Sequence, residues 1–276
     1  MIGYLREPSG GLGNRLFHYN FMLQLARLLG QSVVQPWSRD IDFVAKTSTS
    51  FRHFMWTQNR HARRLGPLDI ADVTPRDFRN FILTDFGQVE HVKLVSPILG
   101  EVFFESCFYD PKELMAFEPG FDNNAPFVAA HIRGGDFATW NPEAILPASY
   151  YIEAISVALN KPERQNLPVV IVTDDLAQPA IEEIKLSFPH NVSLGEEFRS
   201  SVLGRDEVLR DFRLLGSAET IISSPSTFAI WSSILGKNEH VYHSKAWVEK
   251  MANQGDNFWV KLIQGGNEYY RCTELI

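Results

Sequence analysis

Hydrophobic positions in the second half of the chain fall into short, mostly apolar runs. Phe127-Val128-Ala129-Ala130, Pro168-Val169-Val170-Ile171-Val172, Asn191-Val192-Ser193-Leu194 and Thr220-Ile221-Ile222-Ser223 are each too short for a helix and are flanked by polar or turn-forming residues. That pattern predicts buried strands. Helical periodicity fills the gaps, at Ala148 to Leu159, Pro179 to Phe188, Asp206 to Ala218 and Thr227 to Leu235, the last stopping at Gly236. Strands and helices alternating at this spacing predict an α/β fold, a parallel sheet with helices on both faces.

The first half opens on a similar unit. Ile2 to Leu5 reads as a strand, Pro8 to Gly13 as a glycine-rich loop, and Ser32 to Gln35, before Pro36, as a second strand. Between them Leu16, Phe17, Tyr19, Met22, Leu23, Leu25, Ala26, Leu28 and Leu29 are apolar around most of a helix. Asn14 is the expected N-cap and Gly30 the stop. From Ser38 to Gly120 the pattern weakens. Arg52, His53, Arg60, His61, Arg63 and Arg64 form a basic stretch without an acidic residue, readable as a solvated helix face or as a surface facing an acceptor or phosphate. A boundary near Gly120 divides the chain into an N-terminal domain over 1–120 and a C-terminal domain over 121–246. The tail, 247–276, carries two tryptophans and is expected to pack on the body.

A chain of 276 residues can bury a large core and favours two domains. A net charge of −7 and a pI near 5.6 exclude a nucleic-acid partner, which needs a basic field. Any phosphate is then expected in a local pocket. The two cysteines, Cys107 and Cys272, have neither metal-ligand nor CxxC spacing and read as free thiols. Met1 to Arg6 shows no charged leader before an apolar run, and no run approaches membrane-spanning length. A cytoplasmic protein is the expectation.

The chemistry gathers at the ends of the strands. His131-Ile132-Arg133-Gly134-Gly135-Asp136-Phe137 follows one apolar run directly, and Thr173-Asp174-Asp175 follows the next. Ser224-Pro225-Ser226 leads from a third strand into the helix at Thr227. Ligands bind at the carboxyl ends of strands in open α/β sheets. An arginine beside a glycine pair, and a helix N-terminus, both suit a phosphate. The carboxylate pair could accept from a nucleobase or a ribose, or could simply cap a turn. The loop Gly10-Gly11-Leu12-Gly13-Asn14 is not a dinucleotide fingerprint, because Leu16 stands where the third glycine belongs and no acidic residue ends the second strand. It still offers backbone N–H groups and an amide side chain.

Four stretches together, GGLGNRLFHY (10–19), HIRGGDF (131–137), VVIVTDD (169–175) and SSPSTFAIWSSIL (223–235), resemble the ordered motifs of the bacterial α-1,2-fucosyltransferases. The resemblance implies a GT-B fold, two Rossmann-like domains facing across a cleft. It implies transfer of L-fucose from GDP-fucose to a sugar hydroxyl, such as the 2-OH of a galactoside, with inversion and without metal or other cofactor. In that reading Arg133 holds the β-phosphate, and Asn14 reaches the phosphate or fucose together with Gly11, Gly13 and Arg15. Asp174 or Asp175 reads the guanine or ribose, His131 is an oriented hydrogen-bond partner, and Ser226, Thr227 and Phe228 close around the nucleotide. The base is open among Asp136, which could instead be structural and pair within its own loop, Glu101, Glu105 and the leaving phosphate itself. The acceptor is equally open among a glycan, a polysaccharide repeat and a lipid-linked oligosaccharide, the last of which would place the protein at the inner membrane face.

Two residues depart from the family pattern. Gly134 stands where HxRRxD has its second arginine, and Arg15 where GGLGNQ has glutamine. Arg15 is readable as a replacement guanidinium from the opposite wall or as a side chain pointing to solvent from the first helical turn. Alternatives are a sugar-nucleotide-binding protein that no longer transfers, or a transferase for another GDP-sugar or linkage. The stretch Arg133 to Phe137 is superficially like the GGDEF signature of diguanylate cyclases, but Phe137 replaces its glutamate.

Overall fold

The computed structural model describes residues 2–3, 11–17, 20, 33–34, 63–65, 81–83, 92–96, 100–104, 111, 114, 125–198, 207–254, 257–264, 270 and 272–276. The chain divides between Glu118 and Pro119 into two compact units.

In the first unit the strands β1 (Ile2–Gly3), β2 (Val33–Val34), β3 (Arg63–Leu65) and β4 (Phe81–Leu83) form a parallel sheet in the order β2-β1-β4-β3. The strands β5 (Val92–Ser96) and β6 (Gly100–Phe104) pair antiparallel. Arg63 and Arg64 therefore lie in a strand and not on a helix face, which corrects that reading. Residues 12–17 are helical, and Leu12, Leu16 and Phe17 are buried, as the apolar pattern requires. The helix starts earlier than expected. The Arg15 N–H donates to the Gly11 carbonyl at 3.2 Å, so the first turn closes on Gly11 and Asn14 lies inside that turn, not at the N-cap. Gly30, Arg52, His53, Arg60, His61, Glu105 and Cys107 lie outside the described residues.

The second unit is built on a parallel sheet. Its strands are β7 (Val128–Ile132), β8 (Val169–Thr173), β9 (Val192–Leu194), β10 (Thr220–Ser223), β11 (His240–His243) and β12 (Glu274–Leu275), in the order β12-β11-β10-β7-β8-β9. Every pairing among them is parallel. All residues of β7, β8 and β10 are buried, as a sheet covered on both faces demands. The helix Ala148–Leu159 buries Tyr150, Tyr151, Ala154, Ile155, Ala158 and Leu159, one face at helical spacing. The helices Glu207–Ser217 and Thr227–Leu235 pack on one another. Gly236, which ends the second of them, is fixed by space and not by backbone angle, since a Cβ there would lie 2.5 Å from the Gly216 carbonyl oxygen.

The tail does more than pack on the body. After β11 come the helices Lys245–Asn253 and Asn257–Gln264, with Trp247 and Trp259 edge to face at 6.2 Å, and then β12, which adds a strand to the sheet. A strand of two residues has too little hydrophobic pattern to be read in advance. Two α/β units, each with a parallel sheet, are what the expected fold class requires.

One side chain ties the strand ends together. The Tyr150 hydroxyl lies 3.0 Å from the Ser223 carbonyl oxygen and 3.2 Å from that of Tyr242, bridging the ends of β10 and β11 from the helix beneath. Tyr150→Phe removes that donor from two buried acceptors and is expected to cost about 1–3 kcal/mol. A lower urea midpoint at unchanged slope is the expected result; an unchanged midpoint contradicts the bridge.

Candidate active site

The register of the sheet brings the three predicted strand ends level. His131 on β7 lies opposite Ser223 on β10 and Val172 on β8, and Ile132 lies opposite Thr173. Arg133, Asp174 and the Ser224–Ser226 loop therefore emerge side by side from adjacent strands, with β7 in the middle.

Arg133 is held from three sides. Its Nη2 donates to Asp136 Oδ1 at 2.6 Å, its Nη1 is 2.7 Å from Asp174 Oδ2, and its guanidinium carbon stands 4.9 Å from the centre of the Phe137 ring. The side chain remains one quarter exposed, while its Nε is buried without a partner. A guanidinium presented this way can take an anion from the solvent side. Asp136 is the more exposed of the two clamping carboxylates and the easier to displace.

The glycine pair makes room for this clamp. Gly134 donates its N–H to Asp174 Oδ1 at 2.9 Å. A Cβ on Gly134 would lie 2.4 Å from Gln178 Nε2 and 2.8 Å from Asp175 Cβ, and one on Gly135 would lie 2.6 Å from Asp174 Oδ2. Gly135 also has φ +26°, in the region where side chains are strained. The departure at Gly134 thus has a local cause. Gln178 fills the volume where a second arginine would begin.

Asp175 closes its own turn. Its Oδ1 accepts from the Ala177 N–H at 3.0 Å and its Oδ2 from Gln178 Nε2 at 2.8 Å, while its N–H donates to Thr173 Oγ1 at 3.0 Å. Gln178 carried no signal in the sequence beyond its place before Pro179, the first residue of the helix Pro179–Ser187.

His131 is 4% exposed, with Nδ1 2.7 Å from Ser224 Oγ. Burial, and then the nearby Arg133 charge, push its pKa from 6.5 down to about 3. His243, at the end of β11, is buried against the Tyr270 hydroxyl, and burial lowers it to about 3 as well. Both are neutral in the folded protein at pH 5, whereas the unfolded chain takes up protons there as pH falls below 6.5. Stability therefore drops as pH falls from 6.5 toward 3, by up to about 1.4 kcal/mol per pH unit for each histidine. Urea titrations at pH 7, 6 and 5 are expected to show the decline; constant stability across that range contradicts it.

Ser226 caps the helix Thr227–Leu235, its Oγ accepting from the Phe228 N–H at 3.3 Å. The positive end of that helix dipole lies at the end of β10, beside Arg133's strand. Phe228 packs on His131, ring centres 5.8 Å apart, and on Phe212 at 5.4 Å, so its ring steadies the imidazole. In the first unit Gly11, Gly13, Asn14 and Arg15 stand together at the start of the helical segment, with Gly11 exposed and Asn14 and Arg15 half-buried. Glu101 lies in β6.

Among the described residues, Glu219, Glu239 and His240 are close enough to share a metal ion, but they lie at the opposite end of the sheet. Arg164 already fills that cluster, with Nε 2.7 Å from Glu219 Oε1 and Nη2 2.6 Å from His240 Nε2. Cys272 is free, and burial raises its pKa to about 11, which leaves it an unreactive thiol. No described helix is long and apolar enough to cross a membrane.

Solved structures of similar shape include the fucosyltransferase NodZ from Bradyrhizobium, at 13% identity and TM-score 0.48, covering 85% of this chain and 93% of that one. NodZ α-1,6-fucosyltransferase co-crystallised with GDP gives 14%, 0.46, 85% and 92%. POFUT1 in complex with GDP-fucose gives 13%, 0.45, 86% and 95%. No curated protein sequence matches the chain. The profile of glycosyl transferase family 11 matches residues 112–258, which takes in β7, the clamped Arg133, the Asp174–Asp175 turn and the Ser226-capped helix. With more than half of its length matched, the chain belongs to glycosyl transferase family 11.

Proposed function

We propose that this glycosyltransferase moves L-fucose from GDP-fucose to a sugar hydroxyl, with inversion and without a metal ion. The observation that carries the reading is the level register of β7 and β10, which sets the Arg133 guanidinium beside the positive end of the helix Thr227–Leu235. Both features favour a diphosphate, and both act most strongly when charge develops on the leaving GDP. The four motifs that resemble the α-1,2-fucosyltransferases supply the donor, and the 2-OH of a galactoside is the acceptor we assign. The motif resemblance assigns Gly11, Gly13, Asn14 and Arg15 of the N-terminal unit to the substrate, with Asn14 on the phosphate or fucose. Ser226, Thr227 and Phe228 border the nucleotide.

His131 serves as a neutral, oriented partner and not as the base, because its Nδ1 is engaged by Ser224 and burial keeps it uncharged. Asp136 sits in the right loop for a base but already pairs with Arg133. The diphosphate itself can take the acceptor proton if Asp136 serves only to hold the guanidinium.

Calorimetric titration with GDP and GDP-fucose in EDTA tests the donor site. Saturable binding of both is the expected result. Binding without acceptor-dependent GDP release would identify a non-catalytic binding protein, and absence of binding would end the nucleotide reading.

A further inference from the structure

The carboxylate at Asp174 stands where a nucleobase reader would be sought, at the end of the strand next to Arg133. Its two oxygens are turned inward instead. Oδ1 accepts the Gly134 N–H at 2.9 Å, and Oδ2 pairs with Arg133 Nη1 at 2.7 Å. One carboxylate thus fixes both the backbone that follows Arg133 and the guanidinium itself. Three further features belong to the same device. The β7–β8 register sets Ile132 against Thr173, so residues 133 and 174 leave their strands together. Gly135 is at φ +26°, and any Cβ there would strike Asp174 Oδ2 at 2.6 Å. Asp136 grips the other end of the guanidinium, Nη2, at 2.6 Å. By contrast, Asp175 is consumed in its own turn by Ala177 and Gln178.

From this geometry we propose that Asp174 is a positioning residue that aims Arg133 at the diphosphate and takes no part in recognising the base. The inference rests on the reading of Arg133 as the diphosphate-binding arm. Asp174 has two opposed effects on an incoming anion. It repels the anion, and it holds the guanidinium where the anion needs it. The carboxylate is one third exposed, so solvent screens the repulsion, whereas the fixed orientation acts at contact distance. Orientation wins. A charge-assisted contact of this kind is expected to be worth about tenfold in binding.

The test is titration of the full chain with GDP, IDP and inorganic pyrophosphate, which share the diphosphate and differ in the base. Asp174→Ala is expected to weaken all three by the same factor, about tenfold, with the GDP to IDP preference unchanged. Asp174→Asn keeps an acceptor for the Gly134 N–H and removes only the ion pair; it is expected to retain the wild-type unfolding temperature and still lose affinity for pyrophosphate. In an Arg133→Ala background the Asp174 substitutions are expected to cost no further affinity, and to recover some of it by relieving the repulsion, which a loss of local structure would not produce. The inference is overturned if Asp174→Asn lowers GDP to the level of IDP and leaves pyrophosphate untouched, or if the Asp174 and Arg133 effects multiply. If wild type binds none of the three ligands, the donor reading itself fails, and this inference with it.

Discussion

Arg133→Ala is expected to lower transfer by about 10²–10³-fold, the loss found when one preorganised donor is removed from a developing oxyanion. The argument is geometric. The guanidinium is fixed before any ligand arrives, by Asp136, Asp174 and the Phe137 ring, so no reorganisation is needed as charge grows on the departing diphosphate. Removing it also leaves two carboxylates facing the same space, which would repel the proposed diphosphate. Arg133→Lys is not a conservative change here. An ammonium cannot reach Asp136 and Asp174 in one plane and still face the ligand. It is expected to recover little of the lost rate. Steady-state kinetics with unfolding temperatures for both variants check this; a loss below about tenfold with a stable fold places the diphosphate elsewhere.

Gly134→Arg restores the pattern of the resembled family, and yet it is expected to damage this protein. The new Cβ would lie 2.4 Å from Gln178 Nε2 and 2.8 Å from Asp175 Cβ, and the second of these is not a flexible end that can swing aside. Overpacking of this kind costs about 1–3 kcal/mol. The same shift disturbs the Gly134 N–H bond to Asp174, and through it Arg133. Lower stability and lower turnover are expected together. Gly134→Arg with Gln178→Gly is expected to regain part of the stability, because the colliding amide is gone. A Gly134→Arg variant as stable as wild type and faster in transfer contradicts the account. Gly134 and Gln178 thus form a matched pair, since Gln178 occupies the space that a side chain at position 134 would need.

The sequence made the second unit legible because its strands are continuous apolar runs and its helices carry clean periodicity. Ala148 to Leu159, Thr220 to Ser223 and Thr227 to Leu235 agree residue for residue with the observed elements. The level strand ends could be anticipated because each polar group directly follows a buried run. The Asn14 side chain is a good capping group and so suggests a cap, but the earlier carbonyl of Gly11 closes the turn through backbone alone. The charge spacing of Arg63 and Arg64 suits a helix face even though the residues form a strand of three. The roles of Asp174 and Asp175 were not separable in advance. Adjacent identical residues differ only in which side of the strand end they face. Gln178 and Tyr150 were invisible as site-shaping residues, since each acts through a partner 40 or more residues away or through volume alone, at Gly134 and at the carbonyl oxygens of Ser223 and Tyr242.

The most direct test of the account is incubation of the protein with GDP-fucose and a galactoside in EDTA, following GDP release and resolving the product by NMR. The account predicts acceptor-dependent GDP release and a fucosyl group on the galactose 2-OH with inverted anomeric configuration. Release that requires a divalent cation, or no transfer to any sugar hydroxyl from a donor that binds, would contradict it.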